Sequence, residues 1–261
     1  PTPLLSTACW RAAPQEDLEN LPGEFSHAPS QGHTYKGRLR KNYSCWKRFF
    51  NSSVTLPLMV ISVILKGYMP LWLGGIPPAP AVFSNHPSAL AHSDFVDAAV
   101  AALIAKSSVK QVARDFIRVL NPLGVAVQRA KLRLMLDQRH VNKYLDMAGK
   151  KFQLTRICDV SSLLKHGDFL FTLDLESAYH HIELDCKALP FMGFEWKGIF
   201  YVFTVLPFGL ATAPWVFTKL TRPIVALLNL SGVRVSSYLD DFIGGAPPSD
   251  FLDHARRTMS L

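Results

Sequence analysis

Cysteine is scarce in this sequence, and what there is does not pair. Cys9, Cys45, Cys158 and Cys186 show neither zinc-ligand spacing nor the pattern of a secreted disulfide framework, so reduced thiols in an intracellular protein, in cytoplasm or nucleus, are expected. The nine histidines are scattered, and none reads as a metal ligand. Long apolar runs are also missing. The only one, Val54 to Leu65, contains Pro57 and is too short to cross a bilayer, so no membrane partner is expected. No charged-then-apolar leader opens the chain, which excludes a signal peptide from this text, and the first residue is Pro1 rather than Met, as in a fragment. Acids are outnumbered: 20 Asp and Glu against 28 Lys and Arg leave a formal charge of +8. That excess favours an anionic partner, most often nucleic acid. Apolar residues, by contrast, make up 49% of 261 positions, enough for one large domain or two modest ones.

The chain is organised around Val235-Ser236-Ser237-Tyr238-Leu239-Asp240-Asp241-Phe242-Ile243-Gly244-Gly245. Apolar and β-branched residues flank an Asp-Asp, and a Gly pair closes the stretch, the pattern of a hairpin with two carboxylates at its tip. Asp in a turn is ordinary, because its side chain bonds nearby backbone. An upstream partner raises the interest: Phe169-Leu170-Phe171-Thr172-Leu173-Asp174 is an apolar run ending in one acid, read as a buried strand with its carboxylate at the exit. Two such strands can gather three carboxylates at one sheet edge. The cluster would repel itself unless divalent cations were present. Hard oxygen ligands suit Mg2+, and two such ions about 3.5–4 Å apart can clamp an in-line phosphoryl transfer.

Elsewhere the pattern is coarser. Residues 1–36 read as a loose tail rich in Pro, Gly, Ser and His. Lys36 to Arg48 mixes cations with Tyr43 and Trp46, which suits nucleic acid and equally suits a solvated basic helix end. Leu56 to Val82, broken by prolines and glycines, reads as a turning connection without an element. Ser93 is expected to cap a helix from Asp94 to Lys106, followed by a second helical stretch, Val109 to Asp115. Phe116 to Leu136 reads as one long hairpin whose second arm alternates Lys131 and Arg133 with leucines, placing both cations on one face. A second hairpin is expected about Lys197-Gly198. A helix should open at Pro214 and stop at Gly232, and Ser249 should cap the last one. The order gives an α+β layout, an antiparallel sheet backed by helices.

Four segments in order, KLRLMLDQRHVNKYL, FTLDLESAYHHI, LPFGLATAPWVF and YLDD, closely resemble the reverse transcriptase of retroelements, from about Asn121 to Gly245. NPLG, RHVNKYL and GRLRKN with the downstream KGY look most like the tyrosine-recombinase (DIRS-like) group of retrotransposons. The resemblance implies a right-hand polymerase fold of fingers and palm, with the thumb, primer grip and RNase H absent from these residues. Residues 37–165 would be an N-terminal extension with fingers, and 166–261 an incomplete palm with a fingers insertion near 188–210. It also implies an RNA-directed DNA polymerase, a nucleotidyltransferase using two Mg2+ ions, or Mn2+ in their place, with an RNA or DNA template, a primer and dNTPs as partners. Carried over by motif, Asp174, Asp240 and Asp241 become the catalytic and metal-binding acids. Tyr179 becomes the aromatic that crowds the sugar's 2′ position, and is otherwise a core aromatic. Phe208 borders the nucleotide and template pocket, and Arg133 lies along the triphosphate, its planar fork suited to phosphate oxygens.

The sequence also departs from the family. The fingers tip, Val127-Gln128-Arg129-Ala130-Lys131, is short and lacks Gly, so Arg129 and Lys131 are both candidates for the second phosphate-binding cation. Two rivals compete with the polymerase reading. One is a decayed or repurposed fragment that binds nucleic acid without catalysis. The other is a three-acid nuclease or integrase, which needs neither Tyr179 nor a fingers arginine.

Overall fold

The computed structural model describes residue 39 and residues 43–50, 57–128 and 131–259. The expected tail, residues 36–38 and 40–42 of the basic Lys36 to Arg48 segment, and Arg129 lie outside the described residues. In chain order the helices are α1 (Tyr43–Phe50), α2 (Leu58–Lys66), α3 (Pro87–Ala91), α4 (Ser93–Ala105), α5 (Arg139–Asn142), α6 (Ile157–Leu163), α7 (Ala213–Leu230) and α8 (Phe251–Met259). The strands are β1 (Ala81–Val82), β2 (Val109–Gln111), β3 (Val119–Leu120), β4 (Leu123–Gln128), β5 (Lys131–Leu136), β6 (Phe169–Asp174), β7 (Gly193–Trp196), β8 (Ile199–Phe203), β9 (Val235–Tyr238) and β10 (Asp241–Ala246). The chain divides into two compact units, one drawing on Gly32–Lys151 and Ser177–Phe217, the other on Phe152–Glu176 and Thr218–Leu261.

The first unit holds a five-stranded sheet ordered β1-β3-β7-β8-β2 and the separate ladder β4-β5. Lys197 and Gly198 both take positive φ, 50° and 78°, the two-residue turn whose twist matches a hairpin. The expected second helix after α4 is instead β2, with Val109 opposite Phe203 and Gln111 opposite Tyr201; a β-branched residue beside an open sheet edge outweighs a weak helical period. The long hairpin expected from Phe116 is also divided. Pro122 cannot donate to a ladder, so β3 joins the large sheet while β4 and β5 pair alone, Gln128 opposite Lys131. The buried Asn121 side chain bridges the break, donating to the carbonyls of Phe191 and Gly193, both at 3.0 Å.

Three further expectations are corrected here. The supposed connection Leu56 to Val82 contains α2: Pro57 stands just before the first turn, where its missing N–H is not needed, and Gly67 at φ 89° ends the helix. A Cβ on Gly67 would lie 2.6 Å from the Leu184 backbone carbon, so close backbone approach also demands glycine there. Ser93 does not cap α4. His92 precedes the helix without any side-chain cap bond, and Ser93 is its first residue. Trp46, in the segment that suited nucleic acid and a solvated basic helix end alike, is buried at 8% exposure, so its ring packs in the protein and fits neither expectation.

The second unit is the three-stranded antiparallel sheet β6-β10-β9 laid on α7 and α8. Phe171, Val235, Phe242, Leu228 and Phe251 form its core. Only Phe171 of β6 is fully buried, so this strand is half-buried rather than buried as its apolar run suggested. α7 stops at Gly232, φ 87°, where the Val233 N–H bonds the Leu228 carbonyl at 3.0 Å, a left-handed C-terminal stop. α8 opens at Phe251 with the His254 N–H on the Asp250 carbonyl, so Asp250 and not Ser249 takes the cap position. Gly244 and Gly245 do not close a turn. They lie inside β10, opposite Phe171 and Leu170.

Candidate active site

The acids are placed by strand register. Asp241 is the Cα partner of Asp174, and Phe242 of Leu173. On the other side of β10, Asp241 pairs with Tyr238, which leaves Leu239-Asp240 as a two-residue turn. Directly opposed residues in such a ladder are about 4.5–5.5 Å apart at Cα and project to the same face. The Leu175 N–H donates to the Asp240 carbonyl at 3.1 Å, tying the turn to the exit of β6. One face of the sheet therefore carries Phe171, Leu173 and Phe242 into the core. The other raises Asp174 and Asp241, both exposed, beside the turn that bears Asp240.

Leu239 in that turn has φ 54°, a conformation that a branched side chain adopts at some cost. It is half-buried, lining a small cleft with Thr218 and Ser237. The base of the sheet is fixed by a nearly buried ion pair. Arg234 Nη1 and Nη2 donate to Asp168 Oδ2 and Oδ1 at 2.5 and 2.7 Å, with the Asp168 side chain 3% exposed. The guanidinium, more than any other group, holds the Asp168 carboxyl below its ordinary range.

Among the described residues no three His, Cys, Asp or Glu side chains are grouped so as to hold a metal ion; like charges opposed without a counter-ion repel. The donor chemistry nevertheless fits Mg2+. Asp174 and Asp241 offer hard oxygens open to solvent across one ladder, the partial shell that substrate phosphates and water complete around that ion.

The other unit carries the remaining candidates. Along β5, Lys131, Arg133 and Met135 are exposed while Leu132 and Leu134 are half-buried and Leu136 is buried, so the two cations do share a face. Phe208 is 48% exposed and lines a cleft of about 730 Å3 with Gly209, Met135, Asp137, Arg139 and His86. In that cleft Asp137 receives Arg139 Nε and Nη2 at 2.9 and 2.6 Å and lies 3.0 Å from His86 Nε2. Arg139 above all holds its carboxyl well below the usual range. Tyr179 is half-buried between Phe208 and Phe217, ring centroids 4.9 and 5.5 Å away. Its neighbour His180 is buried, which with the charges of Lys106 and His181 pushes its imidazole down to about 4.

Sequence reasoning missed Asn142. Its Nδ2 donates to the Gly209 carbonyl and its Oδ1 accepts from the Ala211 N–H, both at 2.9 Å. It also missed the Asp168–Arg234 pair. Neither leaves a periodic trace, because both depend on residues far apart in the chain.

A family model described as "Reverse transcriptase (RNA-dependent DNA polymerase)" matches residues 104–259. The Retrovirus-related Pol polyprotein from transposon 412 of Drosophila melanogaster is 33% identical over 140 residues, covering 54% of this chain and 11% of that protein. The Pro-Pol polyprotein of Simian foamy virus type 3 (strain LK3) is 27% identical over 173 residues, covering 60% and 14%. This chain thus spans a small part of the length of these relatives. Among solved structures, the Prototype Foamy Virus Protease-Reverse Transcriptase CSH mutant matches with TM-score 0.59 at 18% identity, over 75% of this chain and 25% of that one. The foamy viral protease-reverse transcriptase in complex with RNA/DNA hybrid matches with TM-score 0.60 at 18% identity, over 85% and 29%. At such identities the likeness is one of fold, the α+β fingers-and-palm architecture.

Proposed function

The chain belongs to the reverse transcriptase (RNA-dependent DNA polymerase) family, and from that premise we propose that it performs the nucleotidyl-transfer step of DNA synthesis on an RNA or DNA template. The observation that carries the reading is the register of Asp241 on Asp174 with Asp240 in the adjoining turn. A carboxylate pair raised on the open face of a sheet serves the attack of a primer 3′-hydroxyl on the α-phosphate of a dNTP, with pyrophosphate leaving. Asp174, Asp240 and Asp241 would hold Mg2+, or Mn2+ in its place. When bound, such ions lower the hydroxyl's pKa and neutralise developing charge. The protein's own share is positioning: the ladder fixes where the acids stand, and fixed orientation is worth several kcal/mol of barrier.

Arg133 is assigned to the triphosphate, with Lys131 or Arg129 as the second cation, Tyr179 to the sugar, and Phe208 to the cleft that takes the nucleotide and template. The unit with β6, β9 and β10 takes the part of a palm, and the β4-β5 ladder that of fingers. A primed template is the partner; the related foamy viral structure is in complex with RNA/DNA hybrid. Placement in the DIRS-like group rests on the NPLG, RHVNKYL and KGY segments, and a tyrosine recombinase encoded in the same element would support it. Reduced thiols favour an intracellular setting. No helix among the described residues is long and apolar enough to cross a membrane. The non-catalytic alternative is disfavoured by the intact acids. Primer extension decides: incorporation by the chain, abolished by Asp174→Asn and by Asp240→Asn with the fold retained, supports the reading. Incorporation that survives either change defeats it.

A further inference from the structure

We infer that Asn142 is a positioning residue for nucleotide selection, acting through the Phe208 loop; the inference rests on the polymerase reading above. Asn142 closes α5 and presents its amide edge to the loop after Leu206-Pro207. Nδ2 donates to the Gly209 carbonyl and Oδ1 accepts from the Ala211 N–H, so one side chain fixes two backbone groups on either side of Leu210. A planar primary amide is the side chain that can donate and accept along one edge in this way.

The loop is held from behind as well. Gly209 has φ 101°, and a Cβ there would lie 2.5 Å from the Leu136 carbonyl oxygen at the end of β5. The backbone of the loop is thus pressed on the strand and cannot retreat. Phe208 stands one residue before the first clamped carbonyl. Its ring is half-exposed at the cleft wall and packs on Tyr179 and His180, centroids 4.9 and 5.5 Å away. The backbone fixed behind it and the rings on its flank limit how Phe208 can turn to meet a nucleotide or template base. Asn142 lines the same cleft, with one amide N–H and one lone pair of its oxygen given to the loop. Its part is to hold the aromatic wall, and contact with substrate falls to Phe208.

The test compares the chain with Asn142→Ala, Asn142→Asp, Phe208→Ala and the Asn142→Ala/Phe208→Ala double variant in steady-state single-nucleotide extension of a primed template. Loss of two neutral hydrogen bonds should raise the apparent KM for dNTP roughly tenfold with kcat changed far less. Asn142→Asp keeps the acceptor but loses the donor and should fall between. In the double variant the KM effect should be less than the product of the single effects, because both act through one wall. Multiplicative effects, or a loss confined to kcat, overturn the assignment. Amide hydrogen exchange at Ala211, read without substrate, separates the clamp from the reaction. Loss of protection in Asn142→Ala supports the clamp even if the parent chain incorporates nothing, an outcome that would sink the polymerase reading alone. Unchanged protection overturns the clamp.

Discussion

Gly244 offers the sharpest check on the palm unit, because two opposing effects of one methyl group can be weighed. In a strand interior, Gly→Ala ordinarily stabilises by about 0.5–1 kcal/mol through the lost freedom of the unfolded chain. Here a Cβ would lie 2.2 Å from Phe171 Cζ, 2.6 Å from Cε2 and 2.8 Å from the Arg234 carbonyl oxygen. Phe171 is 7% exposed in the core and has no open space to swing into. The carbonyl belongs to the backbone just before β9 and already accepts the Gly245 N–H at 3.1 Å. Neither neighbour is the free end of a flexible side chain, so overpacking should stand near the top of its usual range, about 3 kcal/mol.

The net expectation for Gly244→Ala is a loss of about 2–2.5 kcal/mol. At roughly 2–4 °C per kcal/mol for a chain of this size, the midpoint should fall by about 4–10 °C. Urea and thermal unfolding measure it. Phe171→Ala alone should cost about 3–5 kcal/mol by leaving a cavity. Placed on Gly244→Ala it should cost less, since the new methyl occupies part of the vacated space; a coupling of about 1–3 kcal/mol is expected for residues in contact. A Gly244→Ala chain as stable as its parent, or strictly additive losses in the double variant, would refute the register of β10 on β6 from which the acids take their places.

Tyr179→Ala should raise ribonucleotide incorporation relative to deoxyribonucleotide in an extension assay; an unchanged ratio would reduce Tyr179 to packing between Phe208 and Phe217. Arg133→Ala should raise the apparent KM for dNTP with little change in kcat, the mark of lost ground-state binding, whereas a pure kcat loss would remove it from the triphosphate. Asp168→Asn should cost about 3 kcal/mol by leaving Arg234 half-buried and unpaired, measured by denaturant unfolding. The Asp168 carboxyl is depressed chiefly by Arg234, so its stabilising contribution is complete above the ordinary carboxylate pKa of about 4 and is lost as pH falls through its lower folded value. The parent should therefore weaken more steeply than Asp168→Asn as pH falls below about 4, and identical acid limbs would contradict the pairing.

Much of the candidate site was legible because it is written locally. The alternation around Asp240-Asp241, the apolar run into Asp174 and the Lys197-Gly198 turn each state their conformation within a few residues. The alternating Lys131 and Arg133 also told their common face. What escaped depends on partners elsewhere in the chain. Val109 looked helical until β8 offered it an edge. α2 was hidden because prolines downstream obscured a helix that Pro57 is well placed to open. Gly244-Gly245 resembled a turn, and only packing set by the fold explains why side chains are excluded there, the Phe171 ring standing against Gly244 and the Leu164 side chain against Gly245. Asn142 and the Asp168–Arg234 pair are polar residues whose roles are set wholly by what folding brings beside them.

These misses share a physical sense, for they supply the restraint that the acids need. The hairpin tip sets Asp240 and Asp241 beside Asp174, and the left-handed Leu239 adds backbone cost at the same point. At the tip the Leu175 N–H donates to the Asp240 carbonyl, and Asp241 is laddered to Asp174 and Tyr238. The restraint comes from the other end of β9. There Asn229 bonds both the N–H and the carbonyl of Val235, at 3.1 and 3.0 Å, while nearer the tip Thr155 Oγ1 donates to the Ser237 carbonyl at 2.8 Å. Arg234 locks the start of the strand to Asp168. Because strand register is a single variable, fixing it at the base fixes it at the tip. The same side-chain bonds occupy an edge that would otherwise invite a foreign strand. The sheet can therefore leave its charges exposed and uncompensated on one face without surrendering their alignment, which is the condition a site must meet if its counter-ions arrive only with the substrate.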